Sequence, residues 1–260
     1  PPPRAAAAAR AHAHPTHRPC YLQAEQRARF EADGVLVIPD LLPPSVLEPL
    51  IGELQDFLGR KAAEEEEAGR LPAGAAAELA ALPDLGRRAA ELCAALGEPP
   101  AHMPPTLSEV SQKSHTTAGM FSLMTHPNML DTAASVFGHD EILVHPQFNL
   151  RGMLPEAQGI LYHQDLAFLE SDGCEDTLFA NFWIPLCGMS AASQQRLSRR
   201  RPLLLTRRFS AAEITPRNGP LMALKGSHAE PLPHVRQEPP AAPYSQVAVD
   251  TDVYTPAENQ

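Results

Sequence analysis

A histidine and an aspartate two residues apart, His163 and Asp165, are the residues whose types and spacing most directly suggest chemistry. They lie in the segment LYHQDL (161–166), whose pattern predicts a β-strand, and side chains two apart on a strand leave from the same face. An imidazole nitrogen and a carboxylate oxygen would then meet at one metal ion. Two histidines and one carboxylate are the ligands of non-haem Fe(II) oxygenases, and this pair supplies two of them. The alternative is a histidine that is merely hydrogen-bonded to a neighbouring carboxylate.

The elements that precede this pair are predicted to be helical. A helix over 21–30 ends at Asp33-Gly34 and leads into a short strand over 35–39, and a second helix begins at Ser45, its predicted N-cap. Its apolar residues recur at helical spacing and predict one buried face: Leu47, Leu50, Ile51, Leu54 and Leu58. The acidic and alanine-rich stretch 64–96 is interpreted as a solvated helical excursion. A further helix begins at Pro127 and ends at Gly138.

The pattern then changes to that of β-strands. In 142–151 polar and apolar residues alternate, with Gln147, Asn149 and Arg151 on the polar face, which either meets water on an edge strand or lines a barrel. Residues 177–186 alternate in the same way, and Trp183 belongs either to the core or to the site. Turns at 218–220 and 226–228 complete a pattern that favours an antiparallel barrel or sandwich.

Six segments together resemble the phytanoyl-CoA dioxygenase family of Fe(II)/2-oxoglutarate-dependent oxygenases, in the family's order between about 23 and 228. They are FEADGVLVIPDLL, LMTHPNMLD, EILVHPQFNLR, YHQDLAFL, NFWIPL and NGPLMALKGSH. The resemblance implies a mainly β fold with N-terminal helices (α+β), namely a double-stranded β-helix or jelly roll. It also implies that His163 and Asp165 bind iron, and that Gln147, Asn149 and Trp183 stand near the co-substrate 2-oxoglutarate. The function it implies is hydroxylation of a small organic substrate, and a non-catalytic jelly-roll binding module is the alternative.

The sequence departs from the family in two places. Residues 188–217 form a basic insert, interpreted as a surface loop or translated non-coding sequence rather than a basic binding patch. The family's third ligand, a histidine, and its arginine for 2-oxoglutarate lie well after the GSH turn, and we do not assign these roles to His228, His234 or Arg236. Residues 21–260 are therefore expected to form a phytanoyl-CoA dioxygenase-like domain without its last barrel strands, which binds iron weakly and does not turn over 2-oxoglutarate.

Composition limits the remaining possibilities. The 260 residues are 43% hydrophobic, enough for a sizeable core, and the net charge of −10 disfavours nucleic acid or an anionic membrane as a partner. No apolar run approaches the roughly 20 residues of a membrane span. The four cysteines have no C-x-x-C spacing and no secretory signal precedes them, which favours a reducing compartment, so we expect an intracellular, cytoplasmic protein, with an organelle left open. Residues 1–20 predict a disordered tail, with a transit peptide as the alternative.

Overall fold

The structure is a computed structural model that describes residues 21–99, 103–144, 150–151, 161–165, 180–186, 221, 223–236 and 247–249. Most of these residues are helical. The predicted tail (1–20) and the basic insert (188–217) lie outside the described residues. The helices within the described ranges are α1 (Ala24–Asp33), α2 (Pro44–Glu67), α3 (Ala75–Ala80), α4 (Leu85–Ala95), α5 (Pro105–Ser114), α6 (Ala118–Met124) and α7 (Pro127–Phe137).

Helix α2 is the centre of the fold, because α3, α4, α5 and α6 all pack against it. The predicted apolar face is confirmed, since its four leucines are buried and Ile51 is partly buried in the same core: Leu47, Leu50, Leu54 and Leu58. The predicted N-cap is wrong. The helix begins one residue before Ser45, with Pro43 as N-cap and Pro44 at the first helical position, where a missing N–H costs nothing.

The stretch 64–96 is not a solvated excursion, and this interpretation is wrong. Helices α3 and α4 pack against α2, and four leucines of the stretch join its core: Leu71, before α3, and Leu79, Leu85 and Leu92 are buried. The many alanines gave the stretch a weakly amphipathic pattern. A few well-spaced leucines are nevertheless sufficient to bury one side of α3 and α4 when the partner helix is long. Asp84 caps α4 by accepting a hydrogen bond from the Arg87 backbone N–H at 2.7 Å.

A network of charged side chains joins α2 to α5. Glu65 is buried, accepts a hydrogen bond from Arg70, and lies 3.0 Å from the ammonium nitrogen of Lys61. Lys61 in turn lies 2.6 Å from a carboxylate oxygen of Glu109 on α5. The hydrogen bonds from Arg70, and then from Lys61, lower the pKa of Glu65 to about 2. The buried carboxylate is therefore ionised and paired, as burial of a charge requires.

The ends of two helices confirm local sequence signals. Helix α1 stops at Gly34, which adopts the left-handed conformation (φ 71°), and α7 runs from Pro127 to Phe137 with Gly138 in the same role (φ 77°). Helix α1 begins at Ala24, three residues after the predicted start at residue 21. The strand predicted over 35–39 is wrong, because these residues form no strand.

The predicted jelly roll, or double-stranded β-helix, is also wrong. Within the described residues the only strands are β1 (His234–Arg236) and β2 (Val247–Val249), which pair antiparallel with Val235 opposite Ala248. The described parts of the two alternating segments form no strand. Their apolar residues pack on the helical core instead: Leu150, Ile184 and Leu186. Alternation defines an apolar face, but a strand also needs a paired backbone, and here part of that face contacts helices while Phe182 is 37% exposed.

No helix in the described part of the chain is both long and apolar enough to cross a membrane.

Candidate functional site

His163 and Asp165 approach each other as their spacing predicts. The Nε2 atom of His163 lies 3.1 Å from Oδ1 of Asp165, and Nδ1 lies 2.8 Å from the carbonyl oxygen of Leu161. Because a carbonyl oxygen only accepts, Nδ1 carries the hydrogen and donates it. The ring is therefore oriented by its own segment, with Nε2 directed at the carboxylate. Residues 161–165 form no strand, so this convergence does not depend on a sheet.

The electrostatics of the pair favour its charged forms. The hydrogen bond that His163 donates to Asp165 raises the pKa of His163 against the opposing effect of burial, and the Leu161 carbonyl adds to the increase. The same hydrogen bond lowers the pKa of Asp165, with a further contribution from Asn181. The positive charge of Arg151 lowers the pKa of both groups. Each member of the pair thus favours the charged form of the other, and a guanidinium is near enough to act on both.

Asn181 fixes the second oxygen of the carboxylate. Its side-chain N–H donates to Oδ2 of Asp165, which leaves Oδ1 to face His163. The alternation over 177–186 predicts that Asn181 lies on the same face as Trp183, but it predicts no role for Asn181. The signal that could have identified Asn181 is its position two residues before Trp183, a candidate site residue. Trp183 is 43% exposed, so it is not part of the hydrophobic core.

Gln164, between the two site residues, was also missed. Its side-chain N–H groups donate to the carbonyl oxygens of Ser227 (2.7 Å) and Glu230 (2.9 Å), and its Oε1 accepts from the Leu232 N–H (2.8 Å). Its backbone N–H donates to Nε2 of His234 at 2.9 Å. The segment that follows the GSH turn therefore lies against the His-Gln-Asp segment.

Neither histidine of that later segment completes a metal site. His234 uses both ring nitrogens, since Nδ1 donates to the Leu232 carbonyl (2.7 Å) and Nε2 accepts from Gln164. His228 donates from Nε2 to the carbonyl oxygen of Glu31 at 2.9 Å. Among the described residues there is no group of three His, Cys, Asp or Glu side chains that would hold a metal ion. Gln147 and Asn149 lie outside the described residues.

Comparisons with models of protein families, with curated proteins and with solved structures find no match to this chain. The resemblance to the phytanoyl-CoA dioxygenase family therefore stays a prediction from the six sequence segments. The geometry of the His163–Asp165 contact agrees both with a metal-binding pair and with a histidine hydrogen-bonded to a neighbouring carboxylate.

Proposed function

We propose that this chain is of the Fe(II)/2-oxoglutarate-dependent dioxygenase class, whose members hydroxylate small organic substrates, with His163 and Asp165 as two of the iron ligands. The observation that carries the proposal is the convergence of His163 Nε2 and Asp165 Oδ1 to 3.1 Å while Nδ1 is engaged by the Leu161 carbonyl. The sequence resemblance adds the identity of the metal and of the co-substrate.

The donor atoms fit a divalent transition metal. Imidazole nitrogen and carboxylate oxygen bind such ions at about 2.0 to 2.2 Å, so two adjacent ligands lie about 3 Å apart. Ligating histidines commonly donate their other ring N–H to a carbonyl or carboxylate, as His163 does to Leu161. The second oxygen of Asp165 is likewise engaged by Asn181. A metal ion would then take the place of the proton that His163 and Asp165 share.

Bound Fe(II) with open coordination positions would supply the activation of dioxygen with 2-oxoglutarate as co-substrate. The residues of this chain hold and orient. His163 and Asp165 supply two donor atoms, Asn181 directs one carboxylate oxygen, and the charge of Arg151 favours an anionic co-substrate near the pair.

The test is an anaerobic titration of the full chain with Fe(II) and 2-oxoglutarate, followed by the visible charge-transfer band of the chelate. We expect a saturable band that is lost in His163→Ala and in Asp165→Asn. Two neighbouring exposed residues, His139 and Asp140, provide matched controls, and His139→Ala and Asp140→Asn should titrate like the unmodified chain. A titration that is the same with and without His163 would refute the proposal. Succinate formation in air tests separately the expectation that this chain does not turn over 2-oxoglutarate.

A further inference from the structure

Gln164 commits every polar atom of its side chain to one distant segment. Its amide donates to Ser227 O and Glu230 O, and its oxygen accepts from Leu232 N, all at 2.7 to 2.9 Å. These partners are 63 to 68 residues away along the chain. A side chain that satisfies three backbone groups at once is held in one orientation, and it holds its own backbone with it.

The partner segment, residues 225–234, is itself anchored to the helical part of the molecule. The N–H of Gly226 donates to the carbonyl oxygen of Asp33 at 2.9 Å, and the ammonium of Lys225 lies 2.8 Å from the Asp33 carboxylate. His228 donates to the carbonyl oxygen of Glu31. These bonds are made at the C-terminal end of α1, where backbone carbonyls lack helical partners. We call residues 225–234 the bracket.

The bracket matters because the candidate site has no regular secondary structure to orient it. His163 and Asp165 contact each other, whereas the Gln164 side chain contacts the bracket. The backbone bond from Gln164 N to His234 Nε2 adds a fourth contact with the bracket. The bracket therefore holds the residue that lies between the two members of the site pair.

We propose that Gln164 is a positioning residue that, through the bracket, holds His163 and Asp165 at the separation a metal ion requires. This inference rests on the proposed function and adds a residue to it. Gln164 itself touches neither a metal nor a substrate. Removing its bonds frees the backbone of 163–165, so the two donor atoms no longer converge before the metal arrives. Loss of such supporting bonds typically lowers metal affinity about 10-fold to 100-fold.

The experiment uses Co(II) alone as the probe, because its visible absorption reports both affinity and coordination geometry. The full chain is titrated beside Gln164→Met, which keeps the length of the side chain and removes its hydrogen bonds. The matched control is Gln112→Met, at an exposed position on α5. We expect Gln164→Met to bind at least about 10-fold more weakly, with a changed spectrum at saturation, and Gln112→Met to behave like the unmodified chain. The far-ultraviolet circular dichroism of the helices should be equal in all three.

The outcomes separate the two proposals. If the unmodified chain binds Co(II) no better than His163→Ala, the proposed function fails and the inference fails with it. If the unmodified chain binds and Gln164→Met binds equally well with the same spectrum, positioning by Gln164 is refuted while the function stands. Should Gln164→Met lose its helical signal, Gln164→Asn, which is shorter by one methylene, is measured instead. Loss of the helical signal in both variants would make Gln164 a residue of the fold and refute the inference.

Discussion

The helical bundle (α2 to α6) and the bracketed site (161–165, 180–186 and 225–234) are held together by different forces. In the bundle, leucine side chains are removed from water, and Leu50 and Leu54 are 0% exposed. In the described residues of the bracketed site, Leu232 is the one buried hydrophobic residue, Ile184 and Leu186 are only partly buried, and Gln164 is held by side-chain hydrogen bonds to distant backbone groups. Burial is non-directional and supplies stability, whereas hydrogen bonds are directional and supply geometry.

The magnitudes differ accordingly. Complete burial of a leucine side chain contributes about 1.5 to 3 kcal/mol, and a hydrogen bond exchanged with water contributes about 0.5 to 1.5 kcal/mol net. We therefore expect the bundle to determine the free energy of unfolding, and the bracketed site to open locally at lower cost. Substitutions in the bundle should leave the geometry of the bracketed site unchanged, and substitutions in the bracketed site should leave the free energy of unfolding unchanged.

The largest effect is expected for Leu54→Ala, at the centre of α2. The substitution leaves a cavity in the hydrophobic core and should lower the free energy of unfolding by about 2 to 5 kcal/mol. Urea denaturation followed by far-ultraviolet circular dichroism measures it. The matched control is Leu143→Ala, because Leu143 is 91% exposed, and its effect should stay within about 0.5 kcal/mol. Similar losses at both positions would show that α2 is not the centre of the bundle.

A smaller loss is expected for Gly119→Ala, where α6 comes close to α2. The Gly119 N–H donates to the Glu53 carboxylate at 2.9 Å, and an added Cβ would lie 2.8 Å from Cα of Leu50. The two helices would have to separate, at a cost of about 1 to 3 kcal/mol. Urea denaturation is again the measurement.

Gly59→Ala is the matched control for this contact, since nothing lies within 4 Å of its added Cβ. Alanine is the better helix former there, so Gly59→Ala should stabilise the chain by about 0.5 to 1 kcal/mol. Destabilisation of both variants to the same degree would attribute the loss at Gly119 to the glycine itself rather than to the close contact of α2 and α6.

The same contrast explains what sequence reasoning could predict. The ends of α1 and α7 were predictable because Gly34, Pro127 and Gly138 act through their own backbone conformations. The buried face of α2 was predictable because helical spacing is a local property. The jelly roll was not borne out, because a strand needs a partner strand and alternation does not specify one. Three apolar residues of these segments pack on the helical core instead: Leu150, Ile184 and Leu186.

The site was predictable only in part. The spacing of His163 and Asp165 predicted their convergence, although the reason given, a β-strand, was wrong. Asn181 is 16 residues from its partner Asp165, and Gln164 binds backbone atoms more than 60 residues away. A backbone carbonyl is present at every residue and carries no sequence signal. These contacts therefore required the three-dimensional structure.

The smallest effect on stability is expected for the His163–Asp165 pair. Asp165→Asn removes the negative charge that raises the pKa of His163, so that pKa should fall.

The contribution of the pair to stability depends on pH. Because the His163 pKa is raised on folding, its contribution to stability is complete below the unfolded pKa and is lost as the pH rises through the folded value. The Asp165 pKa is lowered, so its contribution is lost as the pH falls through its folded value. The pair therefore stabilises the fold between these limits. The contribution should be below about 1 kcal/mol, because the Asp165 side chain is 40% exposed and screened by water.

The measurement is an NMR titration of the imidazole Cε1–H signals in the metal-free chain, with Asp140→Asn as the matched control. The His163 signal should titrate at a lower pH in Asp165→Asn than in the unmodified chain, and Asp140→Asn should not change it. The free energy of unfolding at neutral pH should be nearly equal in all three, because the bundle is untouched. If His163 titrates identically with and without the Asp165 charge, the 3.1 Å contact does not form in solution. In that case directional polar bonds do not order the bracketed site, and the contrast between the two regions is wrong. A large loss in the free energy of unfolding of Asp165→Asn would also contradict this contrast, because the His163–Asp165 pair would then be stabilising the fold.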